Sequence, residues 1–292
     1  MAGGRAKEIW RLFATSWMAV AAAATVVVLV AIALVGPSLV PQNPYNLAEL
    51  GLGDNMLPPG SEAEAGFVFL LGSDVQGRDM LSTMVYGLRT SIFVAAIACF
   101  IGITLGLMVG LIAGFSGGRT DTLIMRLVDF KLSFPTILVA LMIMAFLGQG
   151  VLKLIFALVM VQWAYFARVA RAAALVERAK DYIEAARGQR LPTWRIIAGH
   201  LLPNCLPPVI VVGTLQVASA IGTEATLSFL GIGLPITQPS LGLLIANGYQ
   251  HLLTGQYWVS VFPGLLLLLL IFSINIAGDR LREVMNPRLR GR

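Results

Sequence analysis

The sequence predicts an all-α membrane protein with six transmembrane helices and both termini in the cytoplasm. Of its 292 residues, 57% are hydrophobic and only 12% are charged, about half the charge usual in a soluble domain. Six apolar runs are spaced along the chain, most of them long enough to cross a hydrocarbon core of about 30 Å. Basic residues gather in alternate loops, as the positive-inside bias requires of cytoplasmic segments. Strand-type alternation over about ten residues does not recur, which disfavours a barrel. The chain divides into a cytoplasmic N-terminus with the first helix at 1–36, an extracytoplasmic segment at 37–88, a five-helix core at 89–277, and a cytoplasmic tail at 278–292. Within the core, a polar basic loop lies at 171–204.

The first apolar run, Trp17 to Val35, follows Arg5, Lys7 and Arg11. It is too long for the apolar region of a signal peptide, and no small-residue cleavage site follows it cleanly, so it reads as a first span. From Gly36 to Leu88 six acids (Glu49, Asp54, Glu62, Glu64, Asp74, Asp79) face one Arg78. That balance suits the outer side, where the segment is expected to fold over the mouth of the bundle. The second span runs from about Thr90 to Phe115. Gly102, Gly106, Gly110 and Gly114 recur on it every four residues, which places them on one helical ridge. In lipid such a ridge lets another helix approach closely. It fits either a moving interface in a translocation path or static packing, and the sequence leaves both open.

A short basic loop, Ser116 to Lys131, leads to a third span from about Leu132 to Leu147, shorter than the others and starting near Pro135. Gly148, Gln149 and Gly150 turn the chain outside. The fourth span covers about Leu152 to Ala170. Between Arg168 and His200 seven basic residues oppose three acids. The fifth span covers about Cys205 to Leu227, and the loop from Ser228 to Gln256 carries no Asp, Glu, Lys or Arg. The sixth covers about Tyr257 to Ala277, and the tail is rich in arginine. With six spans, both ends, the second-third loop and the 171–204 loop share one side, and all four are net basic. Glu224, near the outer end of the fifth span beside Thr223 and Thr226, has two readings. It is either a polar contact in a translocation path or a helix-end acid hydrogen-bonded to a neighbouring helix. Asp129 and Lys131 read first as interfacial charges and second as contacts near an inner gate.

The segment DYIEAARGQRLPTWRIIAGHLLPNCLPP, Asp181 to Pro208, stands out. Asp181 is placed to cap a short helix through Arg187. Leu191-Pro192 breaks it, and Pro192 suits the first turn of a second helix over Trp194, Ile197 and Leu201, ending near Pro203. So small a helix-turn-helix is expected to lack a core of its own and to dock on a partner. Its Glu184-Ala185-Ala186 followed by His200-Leu201-Leu202-Pro203-Asn204 resembles the EAA loop of ABC importer membrane subunits. The blocks Gly72 to Ile92 and Ala225 to Pro235 resemble the second, C-type permease of dipeptide, oligopeptide and nickel importers. The family usually has a glycine four residues after the second alanine; here that place is Arg190, with a glycine at Gly188 instead, which puts the geometry of the turn in question.

The resemblance implies a type I ABC importer permease fold and an inner-membrane permease subunit moving short peptides by alternating access. Nickel chelates or other small solutes are the alternative cargo. It implies as partners a second homologous permease, two ABC ATPase subunits and an extracytoplasmic substrate-binding protein, with membrane lipid around them and no nucleic acid. It also implies that Glu184, Ala185, Ala186, Arg187, Gly188 and Arg190 couple to an ATPase, with tight backbone approach at the two alanines. This chain itself has no Gly-Lys dipeptide, so it lacks the phosphate-cradling Walker loop. ATP and Mg are therefore expected on the partner ATPases, and no cofactor or metal is expected here: the only histidines are His200 and His251, and Cys99 and Cys205 read as small packing residues.

Two rival classes were open to test. Gly114-Phe115-Ser116-Gly117-Gly118 matches the nucleophile pattern of serine hydrolases and resembles the rhomboid intramembrane proteases. Ser116 sits where glycine and serine commonly end a helix, His251 falls on the opposite side, and His200 lies inside the docking segment, so no base is expected within reach. A self-contained secondary transporter would show internal repeats or several buried charges; no repeat is found, and Glu224 is nearly alone.

Overall fold

The computed structural model of the chain describes residues 2–46, 51 and 53–285, and side chains from Lys7 onward. Glu49 and the tail arginines Arg288, Arg290 and Arg292 lie outside the described residues. The fold is a helical bundle organised around one long helix. In order, α1 is Ala2–Ala14, α2 is Trp17–Val35, α3 is Met80–Ser116, α4 is Gly118–Leu132, α5 is Thr136–Leu147 and α6 is Val151–Glu177. Then come α7 at Asp181–Gly188, α8 at Thr193–Ile196, α9 at Leu202–Phe229, α10 at Leu241–Tyr249 and α11 at Trp258–Met285. A two-residue hairpin, β1 at Ser61–Glu62 and β2 at Val68–Phe69, is the one sheet among the described residues.

Five helices are long and apolar enough to cross a membrane, and the count becomes six if α4 and α5 form one bent span. The expected first span coincides with α2. The second starts ten residues earlier than expected, at Met80, because Asp79 accepts from the Ser82 amide and caps the helix there. At 37 residues α3 is about 55 Å long and stands well beyond the hydrocarbon core. It packs against α2, α4, α6, α9, α10 and α11.

The third span departs from the expectation. The segment expected as a loop, Ser116 to Lys131, is the helix α4, and α5 has only 12 residues, about 18 Å. The two meet at 85°. Phe134 precedes Pro135, a position that disfavours the helical conformation, and Pro135 has no amide to continue the ladder. Two other helices were not foreseen. α1 is a short helix fastened to α11, where the Arg280 guanidinium donates to Leu12 O at 2.7 Å and to Thr15 Oγ1 at 2.6 Å. α10 lies in the uncharged 228–256 loop, its first turn capped by Ser240 Oγ. Gly242 rests directly on Ala225, where an added Cβ would lie 2.3 Å from a carbonyl oxygen.

At the end of α3 where Met80 lies, residues 72–79 fold into a tight turn. The Asp74–Arg78 pair is fully buried, with Nε to Oδ2 at 2.7 Å, and Trp258 Nε1 donates to Ser73 O at 3.1 Å. This turn ties α3 to α11.

Candidate functional site

At the other end of α3 the basic segment forms a bonded knuckle. α7 begins after Lys180, which supplies no side-chain cap, so Asp181 serves as a first-turn acid rather than as the expected cap. α7 stops in a two-bond C-terminal motif: Leu191 N donates to Ala186 O at 3.2 Å and Arg190 N to Arg187 O at 2.9 Å. This arrangement puts the residue after the helix cap in left-handed space. Arg190 is that residue, at φ 55. The turn a glycine normally takes is therefore kept, by a residue that pays about 1 kcal/mol for the conformation. Gly188 has an ordinary φ and open space where a Cβ would be.

The knuckle also has a small core of its own, contrary to expectation. Ile183, Ala186 and Ile196 are buried together against Leu191 and Phe115 of α3. Ala186 is 5% exposed and thus packs inward, whereas Glu184, Ala185, Arg187, Gly188 and Arg190 are exposed. Of the two alanines expected to admit a partner closely, only Ala185 is exposed on this subunit. The Arg187 guanidinium lies over the Phe115 ring at 4.8 Å. Trp194 on α8 projects outward at 66% exposure, with Arg195 stacked beside it.

The second knuckle helix does not end near Pro203. α8 runs through a single π-type turn, Ile197–Leu201, into α9. Pro203, Pro207 and Pro208 bring no amide donors to this stretch, and such turns absorb the misfit. Asn204 Nδ2 donates to His200 O at 2.7 Å and also to Tyr182 Oη at 3.2 Å. Tyr182 Oη in turn donates to Glu177 Oε2 at 2.6 Å, and Lys180 Nζ donates to Glu177 Oε1 at 2.6 Å. Burial, with the Glu177 carboxylate beside it, pushes the Tyr182 phenol up to about 12. Arg178 Nη1 reaches back to Gly114 O at 2.8 Å. The knuckle is thus bonded to the ends of α3, α6 and α9.

The glycine ridge continues this attachment. A Cβ on Gly106 would lie 2.4 Å from Phe166 Cβ, one on Gly110 2.4 Å from Ala167 O, and one on Gly114 2.6 Å from Ala174 Cβ; only Gly102 leaves ordinary room, at 3.4 Å. All four glycines are buried between α3 and α6. Arg171 makes two bonds to Asp121, at 2.5 and 2.6 Å, and Arg168 bonds Asp129 at 2.6 Å, holding α4 against α6. The ridge is intrachain packing, and its glycines do not line an open path.

Glu224 is buried too. It accepts from Ser91 Oγ at 2.7 Å and from Ser228 Oγ at 2.8 Å, and so joins α3 to α9. The polar opening lies elsewhere: a cavity of about 590 Å³ lined by Thr136, Tyr165, Gln216, Ser219, Thr223 and Thr226. Lys131 sits over the Tyr165 ring at 4.9 Å and donates to Val161 O. The signal for this face was available. Gln216, Ser219, Thr223 and Thr226 recur at three- and four-residue spacing, one face of a helix. Ser116 ends α3, Gly117 follows at φ 66, and neither histidine hydrogen-bonds Ser116.

Residues 106–291 match the family described as binding-protein-dependent transport system inner membrane component. Residues 4–59 match the N-terminal TM domain of oligopeptide transport permease C. The di/tripeptide transport system permease protein DppC of Pseudomonas aeruginosa (strain UCBPP-PA14) is 36% identical over 285 residues, covering 97% of this chain and 92% of that relative. The dipeptide transport system permease protein DppC of Bacillus subtilis (strain 168) is 32% identical over 284 residues, covering 97% and 86%. Among solved structures, an inward-facing form of the MetNI methionine ABC transporter shares the fold, with a TM-score of 0.57 and 24% identity over 70% of this chain and 97% of that one. The chain therefore belongs to the binding-protein-dependent transport system inner membrane component family, as a multi-pass permease subunit whose ATP hydrolysis falls to a partner.

Proposed function

We propose that this subunit forms half of a pathway for di- and oligopeptides, and that α7 and α8 are the lever through which an ATPase drives it. In this reading α4 and α5 together make one broken span, giving six. Both termini and the knuckle face the cytoplasm. Segment 37–88 and the loop bearing α10 face outward, where a loaded substrate-binding protein docks. A second homologous permease closes the polar groove of Thr136, Tyr165 and Gln216, and two ATPase subunits take up the two knuckles. Glu184 and Arg187 stand on the exposed face, Ala185 and Gly188 permit close approach, and Arg190 and Trp194 supply charge and an anchor.

One observation carries this reading. An outward patch containing Ala185, Arg190 and Trp194 is mounted on a small core and bonded to α3, α6 and α9. A load on the patch would reach the transmembrane helices without being absorbed by a loose loop. Peptide cargo is supported by the names of the relatives; alternating access would be driven by closure of the ATPase pair with ATP and Mg.

Topology and cargo can be tested separately. Thr193→Cys is placed on the exposed surface, while Cys99 and Cys205 are buried. A membrane-impermeant maleimide should label it in inside-out vesicles and not in right-side-out ones; the reverse pattern would sink the orientation. For cargo, the reconstituted importer should accumulate a labelled dipeptide in an ATP-dependent manner. Uptake of a nickel chelate with no peptide uptake would reassign the substrate and leave the lever intact.

A further inference from the structure

Near the start of α3, on the side away from the knuckle, a cavity of about 290 Å³ is polar at one end and apolar at the other. Its polar end holds Tyr86, Arg89 and Gln238, and its apolar wall holds Phe93, Ile97 and Ile155. The Arg89 side chain is exposed and makes no hydrogen bond or ion pair among the described residues. The buried Gln238 Oε1 meets no donor. The unpaired cation therefore stands at this opening, whereas Gln238 Oε1 has almost no surface exposed to it. A guanidinium carries five donors and gains most from an anion that can accept several of them.

The direction of the polarity change identifies the occupant. From Arg89 to Ile97 is eight residues, about 12 Å along a helix. Over that distance the lining passes from donor and acceptor groups to Phe93, Val94, Ile97, Val151 and Ile155. A phospholipid changes character over the same distance, from phosphate to acyl chain. Arginine is suited to phosphate through its planar donors, and basic pockets between transmembrane helices are known headgroup sites. A soluble anion would satisfy Arg89 but leave the apolar wall uncovered.

We propose that this cavity is a phospholipid site, with one phosphate on Arg89 and one acyl chain laid along Phe93 and Ile97. Under the orientation proposed above, the lipid belongs to the outer leaflet. It would seat α3 against α6 and the loop carrying Gln238.

The test uses the assembled importer, purified in mild detergent and examined by native mass spectrometry. Wild type should keep one phospholipid per copy of this subunit through detergent exchange. Arg89→Gln should lower that occupancy about tenfold, the loss of roughly one charge-assisted contact. Arg89→Lys should retain most of it, and Lys153→Gln, an exposed charge outside the cavity, should retain all of it. A phosphatidylethanolamine with a diazirine on its acyl chain should label the 93–97 stretch, and inorganic phosphate in excess should not displace it. The proposal is overturned if wild type keeps no lipid, if Arg89→Gln retains as much as wild type, if Lys153→Gln loses as much, or if the label falls elsewhere. These outcomes do not depend on coupling, so failure here would leave the lever reading standing.

Discussion

Two neighbouring alanines separate the knuckle's own folding from its use by a partner. Ala186 is 5% exposed and packs among Ile183, Leu191, Ile196 and Phe115. Ala185 is exposed, about 100° further round the helix. A tryptophan at 186 overfills a small core, at a cost of about 1–3 kcal/mol. A tryptophan at 185 stands at an exposed position, and its effect on folding should stay within about 0.5 kcal/mol. Its effect on a close-fitting partner should be larger, about 2 kcal/mol by analogy with central interface positions, or roughly thirtyfold in a coupling equilibrium. The assay is the reconstituted importer, with melting followed by intrinsic fluorescence and coupling by substrate-stimulated ATP hydrolysis and uptake. Ala185→Trp should melt like wild type and lose stimulation. Ala186→Trp should melt lower and lose stimulation as a consequence. The reasoning is refuted if Ala185→Trp keeps full stimulation and uptake, or if Ala186→Trp melts unchanged.

Other positions give independent checks. Arg190→Gly should raise the melting temperature by relieving about 1 kcal/mol of left-handed strain, while Arg190→Val should lower it; equal melting of all three would remove the strain argument. Gly110→Ala forces a Cβ to within 2.4 Å of Ala167 O and should cost about 1–3 kcal/mol, whereas Gly188→Ala should be neutral or slightly stabilising to the isolated subunit. Trp194→Ala removes an exposed ring with no core role and should weaken capture of the ATPase by about 2 kcal/mol, read as a lower yield of assembled complex at unchanged melting. Tyr182 has a folded pKa of about 12, above the usual value near 10. Its bonded state is therefore fully present below pH 10 and is lost as the pH rises through 12. The ultraviolet titration of wild type minus Tyr182→Phe should show one phenol ionising near pH 12, and a difference centred near pH 10 would contradict the Glu177 bond.

Much of the fold was legible because lipid imposes a simple rule on sequence. Long apolar runs had to be helices, since no other backbone is self-satisfied in hydrocarbon, and α2, α6, α9 and α11 fall close to where they were expected. What was missed has physical reasons. Pro135 was noticed, but a proline marks a break without saying how sharp it is, and the 85° angle depends on packing. α10 was hidden because its loop lacks charge and looks like a turn-rich connector, while Gly242 packs on Ala225, which is distant in sequence. At the knuckle, the sequence did not show that Ala185 faces outward while Ala186 faces inward. Phe115, which decides it, lies some seventy residues upstream. Glu224 drew attention because a charge stands out among apolar residues. The stripe of Gln216, Ser219, Thr223 and Thr226 did not, because uncharged hydroxyls and amides in a helix are common and the two threonine hydroxyls are satisfied by the turn before.

The proposed lever has a mechanical consequence. Arg178 pins the knuckle to Gly114, and from there the glycine ridge packs α3 to α6 with no space for a methyl group at three successive steps. Close-packed seams of this kind are bistable or rigid; they do not stretch. The pair α3–α6 must then move as one body when the knuckle is loaded, and the compliance has to lie where the helical ladder is already broken. Two such places flank the rigid pair: the sharp α4–α5 corner at Pro135, next to Thr136 of the groove, and the π-type turn at Ile197–Leu201, about four helical turns before Gln216 on α9. Opening and closing of the groove should therefore be sensitive to changes at these two breaks and insensitive to changes on the solvent face of α3. Straightening the corner with Pro135→Ala supplies the missing amide and should favour one groove conformation over the other, visible as altered basal ATP hydrolysis in the assembled importer with an unchanged response at Ala185. Unchanged basal hydrolysis together with normal uptake in that variant would mean that the bundle bends somewhere other than at its broken ladders.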